Sequence, residues 1–216
     1  MCRVPFKENC LRFWPLNNSF TELKGGNQMF YPYKYNRFDT GDKCLVMNDD
    51  FVLTIDEKYL PSGPMTLIFQ TKELYIKDEI EIMKHRFMNS DNDVNVYSFD
   101  FKDNVKLLKN KKRWLTHVVV YEENRTVYYI DGMIASIRES GRRSVGKGIT
   151  FNDYTNPDRV VCAGKLRNIG VYDIPFSYKM IRALEYFDFY KRSILNMVVN
   201  RMIKKRETKE GEQSWI

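Results

Sequence analysis

The sequence lacks any run of about 18 consecutive apolar residues, so no membrane-spanning helix is predicted. Its opening residues hold no apolar stretch of the kind that directs secretion, and the expected location is the cytoplasm or a virion rather than the exterior. Cysteine is scarce. Cys2, Cys10, Cys44 and Cys162 show no CxxC spacing, which excludes a zinc-ribbon pattern and leaves buried free thiols as the expectation. Histidine is scarcer still: His85 and His117 have no third partner at metal-ligand spacing. Glycine and proline are scattered, with no rich linker between two domains and no internal repeat.

What the chain does have is aromatic mass. Fourteen Tyr and fourteen Phe among 216 residues favour strands over helices and suffice for a packed core. The formal net charge of +7 is local, concentrated at residues 109–113, 138–147 and 204–209. Such runs read as solvated loops and a basic end, and no specific nucleic-acid contact is expected from them.

Strand patterns follow one another along the chain. Residues 1–50 carry many turn formers and read as short strands and loops. Residues 51–55 and the apolar run 65–71 read as strands, the second fit for burial. Residues 79–87 and 94–101 alternate in polarity. Residues 114–121 and 126–130 form a hairpin over a short charged link. The dipeptide Asp131-Gly132 then reverses the chain into a strand at 133–137. Residues 159–163 and 166–172 read as two late strands. At Ser177, whose hydroxyl can cap, a helical spacing begins with Met180, Leu184 and Phe187 and runs on to about Arg206.

The hairpin carries a resemblance. Trp114, His117, Val118 and Tyr121, followed by Val127, Tyr128, Asp131 and Gly132, resemble the hairpin that recurs in laminin-G-like and pentraxin-like domains of the concanavalin A-like superfamily. Phe13, Trp14 and Leu16 with Asp39 and Gly41 are similar to the opening of such domains. Leu60, Pro64, Thr66 and Phe69 are similar to a core strand, and Gly164, Gly170, Tyr172, Phe176 and Ser177 to the closing strand and helix start. The resemblance implies an all-β, antiparallel jelly-roll β-sandwich over residues 1–188. A C-terminal amphipathic basic helix and tail, 189–216, lie outside it. It also implies a ligand, glycan or protein, on the concave sheet or the rim loops, with calcium in some members.

Glu79 and Glu81 are a near miss to the E-x-D-x-E signature of laminarinase-type hydrolases. Retaining hydrolysis needs two carboxyls about 5–5.5 Å apart. Met83, or Lys84 with one residue inserted, holds the slot of the last acid, and neither can give and recover a proton there. Glu79, Glu81, His85 and Tyr97 are therefore read as ligand-binding rather than catalytic. His117, in an apolar strand, reads as a hydrogen-bonded structural residue. Gly141, Gly146 and Lys147 imitate a phosphate-binding loop, but Gly148 replaces the hydroxyl that would reach magnesium. No cofactor is expected. Calcium could find oxygen ligands only in the turns around Asp153 and Asp158.

Three functional readings stay open at this level. The first is a non-catalytic, lectin-like recognition module for a glycan or a protein partner. The second is a structural or assembly protein, viral in one version, with the sandwich as scaffold and the C-terminal helix for self-association or contact with an anionic surface. The third is a diverged glycoside hydrolase.

Overall fold

The computed structural model describes residues 2–17, 19–23, 37–47, 53–75, 83–88, 94–98, 113–139, 148–151 and 163–189. They build twelve strands, a 3₁₀ turn and one short helix. In chain order the elements are β1 (Cys10–Trp14), β2 (Arg37–Asp39), β3 (Cys44–Met47), β4 (Leu53–Asp56), the 3₁₀ turn Glu57–Tyr59 and β5 (Met65–Tyr75). Then come β6 (Met83–Met88), β7 (Val94–Ser98), β8 (Leu115–Tyr121), β9 (Thr126–Ile130), β10 (Met133–Arg138), β11 (Gly148–Phe151), β12 (Ala163–Tyr172) and α1 (Tyr178–Leu184).

The strands form two antiparallel sheets. The larger runs β10-β9-β8-β5-β12-β3-β2, with β1 also paired to β12; the smaller runs β4-β11-β6-β7. An all-β antiparallel sandwich with a helix near its C-terminal end is thus the architecture. The predicted meander is present as β8, β9 and β10 in adjacent positions. Its second reversal is the two-residue turn Asp131-Gly132, in which both residues have positive φ, 47° and 74°. That turn type matches the right-handed twist of the flanking strands. Of the two late strands expected, 166–172 is present within β12, which begins at Ala163, and residues 159–162 of the other lie outside the described residues.

Period two divides β5 and β8 between two cores. Leu67 and Phe69 of β5, with Val119 and Tyr121 of β8, face the smaller sheet. They pack there with Leu53, Ile55, Ile149 and Phe151. The other face of the same strands presents Ile68, Val118 and Val120 to a second apolar cluster. That cluster holds Phe13 of β1, Tyr172 of β12, and Phe176, Ile181, Leu184 and Phe189. β8 is therefore covered on both sides, and every one of its residues is buried. That is why its sequence reads as an unbroken apolar run.

His117 sits in the inner core between β5 and β9. Its ring stacks on Phe69 at 4.5 Å between centroids and 3° between planes. One ring nitrogen meets Thr71 Oγ1 at 2.6 Å and the other the Tyr128 hydroxyl at 2.5 Å. The expectation of a hydrogen-bonded structural histidine is met. Both partners are hydroxyls, able to donate or accept, so the neutral imidazole is satisfied in either tautomer. Full burial with no carboxylate beside it pulls the pKa of His117 down to about 3.

The segment after β12 is fixed by Thr66. Its hydroxyl donates to the Ile174 carbonyl and accepts from the Phe176 amide, both at 2.8 Å. Ser177 then caps α1 by accepting from the Met180 amide. The helical spacing predicted as far as Arg206 is realised only over Tyr178–Leu184 among the described residues. After Leu184 the amides of Glu185, Tyr186 and Phe187 bond three residues back, to Arg182, Ala183 and Leu184. This tighter winding ends the helix. Phe189 leaves it to stack on Phe13, and its carbonyl accepts from the Arg3 amide. Burial of two aromatic rings outweighs the propensity to continue.

Candidate binding site on the outer face of the large sheet

The outward side chains of β5 change character along the strand. Thr66 and Ile68 lie under the C-terminal segment, whereas Gln70 and Lys72 carry polar ends into hydrogen bonds and ion pairs. Across the sheet Gln70 pairs with Arg167 of β12 and Thr116 of β8. The change coincides with a bulge in β12. The register jumps between Arg167 and Gly170, and Asn168 takes a positive φ of 56°. One half of the outer face is apolar and covered. The other half is polar, with Gln70, Thr116 and Asn168 buried and Lys72, Lys165 and Arg167 half-buried around them.

The polar half is ordered by hydrogen bonds. Gln70 Nε2 donates to Thr116 Oγ1 at 3.0 Å, while its Oε1 accepts from Asn168 Nδ2 at 2.8 Å and Arg167 Nε at 3.0 Å. The Arg167 guanidinium lies 3.7 Å from the centre of the Trp114 ring, a cation–π contact. At the β3 end Lys165 bridges Asp39 at 2.9 Å and Asp42 at 2.5 Å, and Lys72 also meets Asp42 at 2.9 Å. Backbone amides, Asp42 first, and the Lys165 ammonium hold the Asp39 carboxyl down at about 2. Lys165 and Lys72 depress that of Asp42.

Where this face meets the end of α1 there is a cavity of about 470 Å³. Its walls are Gln70 and Thr116 from the sheet, Arg113 and Trp114 leading into β8, Asp131 and Met133 at the β9–β10 turn, and residues 182 and 184–187 after the bulk of α1. The size is that of a small-ligand site. Arg113 pairs with Asp131 at 2.7 Å and Arg182 with Glu185 at 2.6 Å. Asp131 also accepts from the Thr116 amide at 2.8 Å. Gly132 lets the wall close: a Cβ there would collide with the Glu185 carboxylate. Tyr186, also on the wall, has 81% of its surface exposed and is the most exposed large apolar side chain among the described residues.

Of the residues read from the sequence as ligand-binding, His85 and Tyr97 belong to strands of the smaller sheet. Glu79 and Glu81 lie outside the described residues. His85 of β6 pairs with Tyr97 of β7 and Ile149 of β11, and Ile149 pairs in turn with Ile55 of β4. The register thus brings His85 and Tyr97 together, in a row of the smaller sheet whose other members, Ile55 and Ile149, are buried. The turns around Asp153 and Asp158, and the glycines at 141 and 146, also fall outside the described residues. No group of three His, Cys, Asp or Glu is placed to hold a metal among the described residues. No helix among them is long and apolar enough to cross a membrane.

Comparison with known proteins places this architecture. No protein-family model matches the sequence, and no curated protein does. Solved structures match the fold. Domain 4 of AbnA, a GH43 extracellular arabinanase from Geobacillus stearothermophilus solved in complex with arabinotriose, superposes with a TM-score of 0.58 at 10% identity. The match covers 82% of this chain and 98% of that domain. The binding domain of Paraclostridial Mosquitocidal Protein 1 gives 0.57 at 12% identity, covering 83% of this chain and 52% of that one. The receptor binding domain of botulinum neurotoxin D gives 0.54 at 11% identity, covering 83% and 52%. The shared feature is the β-sandwich. The chain spans about half the length of the two toxin domains.

Proposed function

We propose that this chain is a non-catalytic, lectin-like module of the concanavalin A-like, laminin-G-like kind. In this reading it binds carbohydrate in the cavity between Trp114, Asp131 and Tyr186. One observation carries the reading: an exposed aromatic residue, Tyr186, lines a cavity whose polar walls are already ordered by hydrogen bonds. A sugar ring has an apolar face to lie on an aromatic and a rim of hydroxyls to bond amides, carboxylates and guanidinia. The bonds fixing Gln70, Arg167, Asp131 and Glu185 mean that little side-chain entropy remains to be lost on binding. The likeness to an arabinanase domain solved with arabinotriose and to two toxin binding domains supports a binding role.

The test is an oligosaccharide array probed with the full chain, repeated with Tyr186→Ala. Tyr186 is exposed, so the variant should fold, and binding should weaken about tenfold or more. Capture that ignores Tyr186 but is lost in His85→Ala and Tyr97→Ala would move the site to the smaller sheet.

A protein contact is the second reading. It is favoured by Met133, Ile134 and Ile137, which are more than half exposed on the edge strand β10. Edge strands with exposed apolar residues are templates for pairing. Sedimentation of Ile134→Lys against the parent chain checks it: an identical size at all concentrations argues against self-association through this edge.

A further inference from the structure

We infer that the ligand of the Trp114–Tyr186 cavity is an uncharged oligosaccharide, and that the site discriminates against acidic ones. This rests on the carbohydrate reading above and adds the class of sugar.

The argument is the charge arrangement. Two cations line the cavity, and each already has a carboxylate: Asp131 lies 2.7 Å from Arg113, and Glu185 lies 2.6 Å from Arg182. Arg167, next to the cavity wall, is spent on Gln70 Oε1, the Asp42 carbonyl and the Trp114 ring. An acidic ligand could reach one of the two lining guanidinia only by displacing its carboxylate or by sitting beside it. The first loses an existing ion pair, and the second places like charges together. The carboxylates cannot simply swing away. Asp131 is tied to the Thr116 amide and only 18% of its side chain is exposed, as is 18% of that of Glu185, which is seated over Gly132.

A neutral sugar meets no such conflict. Each hydroxyl both donates and accepts, and a guanidinium–carboxylate pair offers a donor beside an acceptor. Neighbouring hydroxyls can bond both members while the pair stays intact.

The carboxylates give the experiment a sign. Neutral oligosaccharides and their sialylated or sulfated counterparts are titrated into the full chain, into Asp131→Asn and into Glu185→Gln. Expected are binding of neutral sugars that changes less than twofold between low and high salt, a weakening of about tenfold in either variant, and no preference for the acidic counterparts. Tighter binding of acidic sugars by the parent chain, lost in Tyr186→Ala, would overturn the neutral-ligand inference and keep the carbohydrate site. Acidic binding that strengthens when either carboxylate is removed is the result the ion-pair argument expects, and acidic binding that stays unchanged in both variants would overturn it. Binding of no sugar at all would overturn the inference and the carbohydrate site alike. The salt dependence uses the parent chain alone and decides the matter even where a variant fails to fold.

Discussion

Acid should destabilise this fold well before its carboxylates titrate, through His117. In the unfolded chain the imidazole takes up a proton near pH 6.5. In the folded chain it is fully buried, faces two hydroxyls and has no anion to offset a charge, so it stays neutral down to about pH 3. Between those values the unfolded state binds one more proton than the native state, and stability therefore falls as pH falls. Each pH unit is worth about 1.4 kcal/mol, so moving from pH 7 to pH 5 should remove about 2 kcal/mol. The whole window down to pH 3 should remove about 5 kcal/mol, comparable to the total stability of a modest domain. The assay is urea unfolding at pH 7, 6 and 5, followed by tryptophan fluorescence, on the parent chain and on His117→Gln. Glutamine keeps a donor and an acceptor for Thr71 and Tyr128 but cannot titrate. The variant should start lower at pH 7 and lose little of the 2 kcal/mol on going to pH 5. His85 is present in both proteins and cancels. An equal loss in the two would refute the reasoning, as would an imidazole resonance of His117 that titrates near pH 6.

Other perturbations reach other parts of the structure. Gly132→Ala puts a side chain at φ 74° and into the Glu185 carboxylate; unfolding should show a loss of about 1–2 kcal/mol, and oligosaccharide binding should weaken with it. Thr66→Val strands the Phe176 amide and removes a donor from the Ile174 carbonyl. It should cost about 1–3 kcal/mol, with faster proteolysis of the C-terminal segment than of the sheets. Phe69→Ala removes the ring stacked on His117 and in edge contact with Phe151; about 3–5 kcal/mol should be lost in urea unfolding.

The sequence was most readable where one physical rule acted alone. The β8–β9–β10 meander announces itself because a doubly covered strand must be apolar throughout and Asp131-Gly132 suits a tight reversal. Ser177 is legible as a cap for the same local reason. The end of α1 was not legible, since the spacing of apolar residues continues past Leu184. What stops the helix is the pull of Phe13 on Phe189, a contact between chain positions far apart. The candidate cavity was missed altogether. Trp114 and Asp131 read as hallmarks of a hairpin, and Arg113 as part of a basic loop. A signal was present in β5, where the outward positions pass from Thr66 and Ile68 to Gln70 and Lys72. Residues 65–71 are buried throughout, as read, and the polar end of Gln70 is satisfied there by hydrogen bonds rather than by water.

The division of the outer face bears on what the polar half is for. Burial of Ile68, Val118, Phe13 and Tyr172 under the C-terminal segment stabilises the sandwich in proportion to the apolar area removed from water. Beyond Gln70 that term stops. The exposed ion pairs that take its place, such as Arg182–Glu185, each contribute about 0–1 kcal/mol, so they do not replace the lost burial. Yet they are not a loose solvated surface. Gln70 alone orders three neighbours, Thr116, Arg167 and Asn168, and the bulge that holds Asn168 at positive φ aims its amide at the Gln70 side chain. A surface that adds little to stability but fixes donors, acceptors and an aromatic ring in place has the properties a polyhydroxylated ligand requires. Under the proposed function, stability and recognition are divided between the two halves of a single sheet face. Substitutions at Tyr186 should therefore move binding without moving the unfolding curve, and substitutions at Ile68 should do the reverse.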